Sequence, residues 1–183
     1  TRACVEVCFV GACTTILTRN VTLTIEPGVK VLGKTGTFAN LVITRGSKLM
    51  AMGTQSAPIV FSSDDEGLDG SGEWGGLIMH GYALHNECSE GGSYCDIDSE
   101  GESGFAGGYD PNDSSGVLRY VVVAEGGYEF STGNEINGIS LVAVGNGTEM
   151  DYIQVHGNSD DGIEFYGGNV NVKHGVFTNN NDD

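Results

Sequence analysis

Two stretches of this 183-residue chain recur along its length, and that recurrence limits the fold more than any other feature. Setting LTIEPGVKV (23–31) over LVITRGSKL (41–49) matches Leu23 with Leu41, Ile25 with Ile43, Gly28 with Gly46 and Lys30 with Lys48, an offset of 18 residues. Two further steps of 18 reach Ile59 in PIVFSS and Leu77 in GLIMHG. Near the C-terminus DYIQVHGNSDD overlays KHGVFTNNNDD at 22 residues, so that Asn158 matches Asn180 and Asp160 matches Asp182. Recurrence near 20 residues, in β-branched runs separated by Gly and Asn, predicts a β-solenoid. One coil is too small to bury its own apolar face and must stack on its neighbours.

Rival folds explain less. Glycine interrupts every apolar run and no window keeps the i, i+3, i+4, i+7 spacing of an amphipathic helix. A β-sandwich also has short strands and frequent turns, but it has no reason to repeat polar turn residues in register. Thirty glycines against three prolines suit many tight turns. No apolar run reaches the eighteen residues that a transmembrane helix needs, so none is expected.

The quoted stretches, with GEWGGLIMHGYA, GNEINGISLVAVG and DDGIEFYGGNVNVKH, resemble successive coils of a family of secreted bacterial surface proteins. That family has right-handed parallel β-helix repeats of the pectate-lyase-like type. The resemblance spans about residues 21–183. It implies an all-β parallel β-helix and an extracellular or cell-surface setting, and it implies fold more firmly than activity. Residues 1–20, with Cys4, Cys8 and Cys13, lie outside it and are expected to form an N-terminal cap. Insertions at about 62–73 and 84–116 are expected to project from the β-helix as the recognition region.

Charge narrows the partners. With 25 acids against 8 bases the formal charge is −17, which excludes nucleic acid, whose binding rests on Lys and Arg. Thirteen of the acids lie between Asp64 and Asp113, where there is no Lys or Arg. Adjacent acids serve as turn residues, as an oxygen cage for calcium or as a catalytic pair. The turn reading rests on side-chain bonds to backbone N–H groups. The calcium reading takes Asp160, Asp161, Glu164, Asp182 and Asp183 as one set and Asp64, Asp65 and Asp69 as another, because hard cations want several carboxylates. The catalytic alternative follows a likeness to pectin-cleaving hydrolases, which carry Asp-Asp on a strand edge and His-Gly on a later coil. Here Asp160, Asp161 and His174 would fill those places, although the 14-residue spacing is shorter than a 22-residue coil.

Cys88 and Cys95 bracket SEGGSY, and a disulfide is expected to close that loop. Trp74, Tyr94 and Tyr109 are candidate faces for stacking on a glycan ring, with core packing the competing role for Trp74. The expectation is a structural or adhesive binding module, calcium-stabilised, for a surface glycan or protein. A second copy of the chain is a further candidate partner, as an oligomer or filament, because a solenoid edge is open to another strand.

Overall fold

A computed structural model describes residues 5–9, 12–17, 20–65, 67–98, 103–132 and 134–182, with the first two segments and Asn134 as backbone only. Among the described residues there is no helix. β1 (Val5–Phe9) and β2 (Ala12–Leu17) form an antiparallel hairpin. The first coil follows as β3 (Thr22–Ile25), β4 (Lys30–Gly33) and β5 (Asn40–Ile43), and the second as β6 (Lys48–Met52), β7 (Ile59–Ser63) and β8 (Gly76–His80). The small hairpin β9 (Ile97–Asp98) and β10 (Phe105–Ala106) interrupts the winding before β11 (Gly116–Ala124). A second hairpin, β12 (Glu129–Ser131) and β13 (Asn134–Glu135), precedes β14 (Ile139–Val142). The last rungs are β15 (Glu149–His156), β16 (Ile163–Tyr166) and β17 (Asn171–Thr178).

The stacked strands pair in parallel on three faces. The first face runs β2-β5-β8-β14-β16. The second runs from β3 through β6 to the front halves of β11, β15 and β17. The third runs from β4 through β7 to the rear halves of those same long strands. Parallel pairing throughout the stack excludes the sandwich, whose sheets are antiparallel.

The 22-residue overlay is a true rung spacing, since Glu149 pairs with Asn171 and His156 with Thr178. The 18-residue overlay is not. Leu23 pairs with Leu49, 26 residues on, and Asn40 pairs with Gly76, 36 residues on. LTIEPGVKV and LVITRGSKL are instead two corners of neighbouring sides, strand-turn-strand in each case. They look alike because both turns need a left-handed residue, supplied by Gly28 and Gly46 at φ +79°.

Inward-facing columns form the core. Leu41, Leu77 and Ile139 stack on the first face, and Phe61, Val123 and Val155 on the third; all are buried. The first face is apolar on its outer side as well. Val42, Ile78 and Val142 form a second buried cluster there with Ala106 and Ile136, which come from the two hairpin loops. The described parts of the 84–116 insertion therefore fold back over the sheet, where projecting loops were expected. The Gly107 amide donates to the Gly81 carbonyl (2.9 Å), and the Asp113 carboxylate accepts from the Tyr82 amide (3.0 Å).

The expected Cys88–Cys95 disulfide is present, with both residues buried in this cover. Closing a loop of this size contributes about 2 kcal/mol by limiting the unfolded chain. The double variant Cys88→Ser/Cys95→Ser is expected to lower stability by that amount in urea titration and to raise amide exchange over residues 84–113. Cys4 lies outside the described residues, and so do the side chains of Cys8 and Cys13.

Candidate functional site: an acidic corner

The third face gives way to the first through a turn that repeats on successive rungs as Gly126–Gly127, Asn158–Asp161 and Asn180–Asp182. Backbone bonds lock the turns together. The Ser159 amide donates to the Gly126 carbonyl (3.1 Å) and the Asn181 amide to the Asn158 carbonyl (3.0 Å). Asn158 is fully buried; its own amide N–H donates to Asn180 Oδ1 (3.2 Å), and its Nδ2 donates to the Asp161 carbonyl (2.7 Å). This ladder ties together the backbone that carries the next residues of the corner. Carboxylate oxygens of Asp160, Asp161 and Asp182 lie within 4.8 Å of one another.

Like charges gathered so closely shift their own chemistry. Burial, and then Asp161, Glu135, Asp182 and Glu164, hold the Asp160 carboxyl above its ordinary value. Glu164 belongs to this field, but its Oε2 accepts from Asn137 Nδ2 at 2.6 Å. A polar cleft of about 410 Å³ opens beside the corner, with Glu129, Glu135, Ser159 and Asn181 in its wall. The donor set consists of hard oxygens on a rigid turn, which fits a divalent cation of the calcium type. Asp183 lies outside the described residues.

The other sequence candidates are dispersed. Asp64 forms an ion pair with Lys34 (3.0 Å) and accepts from the Thr35 amide (2.8 Å). The Thr35 amide, then Lys34 and the Thr35 hydroxyl, hold its carboxyl down at about 2. Among the described residues Asp64, Asp65 and Asp69 do not form a three-ligand group. Trp74 is 2% exposed and donates from Nε1 to the Ala124 carbonyl (2.7 Å), so it offers no face to a glycan. Its place in the core follows from Gly33 opposite it, where an added Cβ would stand 2.8 Å from the Trp74 Cβ.

His174 does not join Asp160 and Asp161. It sits at the bend before the third face, its Nδ1 2.7 Å from Asp151, while the acidic corner lies beyond the far edge of that face. Four paired residues, Ile153 to His156, separate the two places, about 13 Å of extended chain. The hydrolase-like trio is therefore not assembled.

One array escaped the sequence reading. Tyr120, Tyr152 and His174 each take a left-handed backbone, at φ 49°, 55° and 48°, and bend their strands from the second face to the third. Their rings stack at 4.5 and 4.4 Å with planes 8° apart. Stacking of flat rings offsets part of the about 1 kcal/mol that each left-handed residue costs. Glu125, with φ 62°, is a further unforeseen feature: a buried acid that accepts from the Ser62 and Ser63 hydroxyls and from the Gly70 amide.

Parallel rungs on three faces, a continuous core and a laddered polar corner define the class as a parallel β-helix. The pectate-lyase-like beta-helix domain family matches residues 8–183, and the chain belongs to that family. The match begins ahead of residue 21, where the likeness of individual coils starts, and takes in most of the β1–β2 hairpin. No curated protein and no solved structure matches the chain.

Proposed function

We propose that this β-helix is a secreted or cell-surface binding module whose acidic corner takes calcium. The single observation that carries the reading is the set of three carboxylates at Asp160, Asp161 and Asp182, held within 4.8 Å on a laddered turn. No Lys or Arg stands near them in sequence to relieve the repulsion; the nearest, Lys173, lies on β17 ahead of the third face. A cation bridging two rungs would tie Asp160 and Asp161 to Asp182 and so fasten the last coil to the one before it. A rigid stack with a secured corner suits adhesion, where load is spread over many parallel strand pairs.

Calcium at tenfold its dissociation constant is expected to raise stability by about 1.4 kcal/mol, by mass action on the folded state. Thermal melts of the intact chain in calcium and in chelator measure this. Asp160→Asn/Asp182→Asn is expected to abolish the calcium response while raising stability in chelator, because the repulsion is gone. A melting temperature indifferent to calcium in the parent protein would sink the cation part of the proposal. Adhesion to polysaccharide-coated surfaces, scored with and without calcium, tests the binding part.

A further inference from the structure

The cover over the first face makes a second site. Tyr82, Tyr94 and Tyr109, spread over 28 residues of sequence, meet Arg45 around a cleft of about 320 Å³. That volume is at the small end of the range for ligand pockets, about 300 to 1,000 Å³, and suits a single ring. Arg45 comes from the turn after β5 and reaches beneath the loop, where it is 5% exposed. Nη1 donates to the carbonyls of Cys95 (2.9 Å) and Gly107 (2.8 Å), and Nη2 donates to Asp96 (2.5 Å). The guanidinium also lies over the Tyr82 ring at 5.3 Å.

These contacts leave the Arg45 Nε–H buried without a partner among the described residues. An unmet buried donor costs about 1 to 3 kcal/mol, which a ligand acceptor would offset where a small shift of the cleft wall uncovers the Nε–H. The wall is fixed rather than loose. Cys95 is held by its disulfide and the Tyr109 hydroxyl donates to the Ser89 carbonyl (2.6 Å), while Tyr94, inside the disulfide loop, is 75% exposed and donates from its hydroxyl to Asp96.

We propose that this cleft binds one neutral hexopyranose ring, the C–H face against tyrosine and the oxygens toward Arg45. Aromatic faces suit the apolar side of a sugar, and the Tyr94 and Tyr109 hydroxyl oxygens, whose protons go to Asp96 and the Ser89 carbonyl, can still accept from its hydroxyls. Neutrality follows from the charges at the cleft: Asp96 balances Arg45 and Asp110 stands on the rim, so a uronate would meet net negative charge. The proposal rests on the binding-module reading and gives that module its ligand class.

The test titrates the intact protein with methyl glucosides, galactosides and mannosides, using galacturonate as the charged control and tyrosine-resonance perturbation as the readout. At least one neutral glycoside is expected to bind, with Tyr94→Ala weakening it at least about tenfold, as truncation of an aromatic anchor does. Tyr152→Ala, on another corner, is expected to leave binding unchanged. The proposal is overturned if no neutral glycoside binds, if galacturonate binds more tightly, or if Tyr94→Ala binds as well as the parent. Surface adhesion measured in parallel on Tyr94→Ala separates the two readings. In the parent protein, adhesion without glycoside binding ends the cleft proposal alone, and absence of adhesion ends the module reading.

Discussion

Replacing Trp74 with alanine is expected to remove about 3 to 5 kcal/mol of stability, the cost of emptying a large aromatic site in a packed core. The ring is 2% exposed and packs in the main core cluster with Leu41, Leu77 and their neighbours. Its Nε1–H donates to the Ala124 carbonyl, at the point where the third face ends, so the ring also joins two rungs. Ordinary domains are stable by only about 5 to 15 kcal/mol, and the variant therefore loses a large share of its margin. Urea titration of the parent, Trp74→Phe and Trp74→Ala separates the contributions. Phenylalanine keeps most of the apolar volume and leaves the Ala124 carbonyl without its donor, so it should lie between the other two. A Trp74→Ala midpoint close to the parent's would show that the ring is not a core element.

The repeating corners of the chain were legible because tight turns have strict chemistry. Gly28 and Gly46 announce left-handed turns, and Asn158 and Asn180 announce a ladder at the true rung spacing. Rung length was less legible, since apolar strands on different faces have the same β-branched composition. Ile25 and Ile43 match by letter but stand on different faces, and only pairing partners tell them apart. Tyr120 and Tyr152 gave no signal, because bulky residues rarely accept a positive φ and nothing local marks them as bends. The disulfide was readable from spacing alone. Arg45 was not, because its partners Asp96 and Gly107 lie 51 and 62 residues away.

Acid is expected to loosen the cover over the first face through His80. This residue is fully buried on β8, with Nε2 3.1 Å from the Ser103 hydroxyl and Nδ1 without a partner among the described residues. Burial, and then the charge of Arg45, hold its pKa down at about 4, against an ordinary value of 6.5. The unfolded chain therefore binds a proton below pH 6.5 that the folded chain refuses until about pH 4. Stability contributed by the neutral ring is complete above pH 6.5 and is lost as pH falls through that window. At about 1.4 kcal/mol per pH unit the loss approaches about 3 kcal/mol at pH 4. Asp113 and Asp160 act with the opposite sign, since carboxyls held above their ordinary value gain from protonation as pH falls. The His80 contribution is thus the difference between parent and His80→Gln, which keeps a polar group for Ser103 and cannot titrate. Urea titrations of both proteins at pH 7 and pH 4.5 should show the parent losing about 2 to 3 kcal/mol more than the variant. Equal losses would mean that the ring takes up its proton without leaving the fold, and that the cover over Val42, Ile78 and Val142 does not depend on a neutral His80.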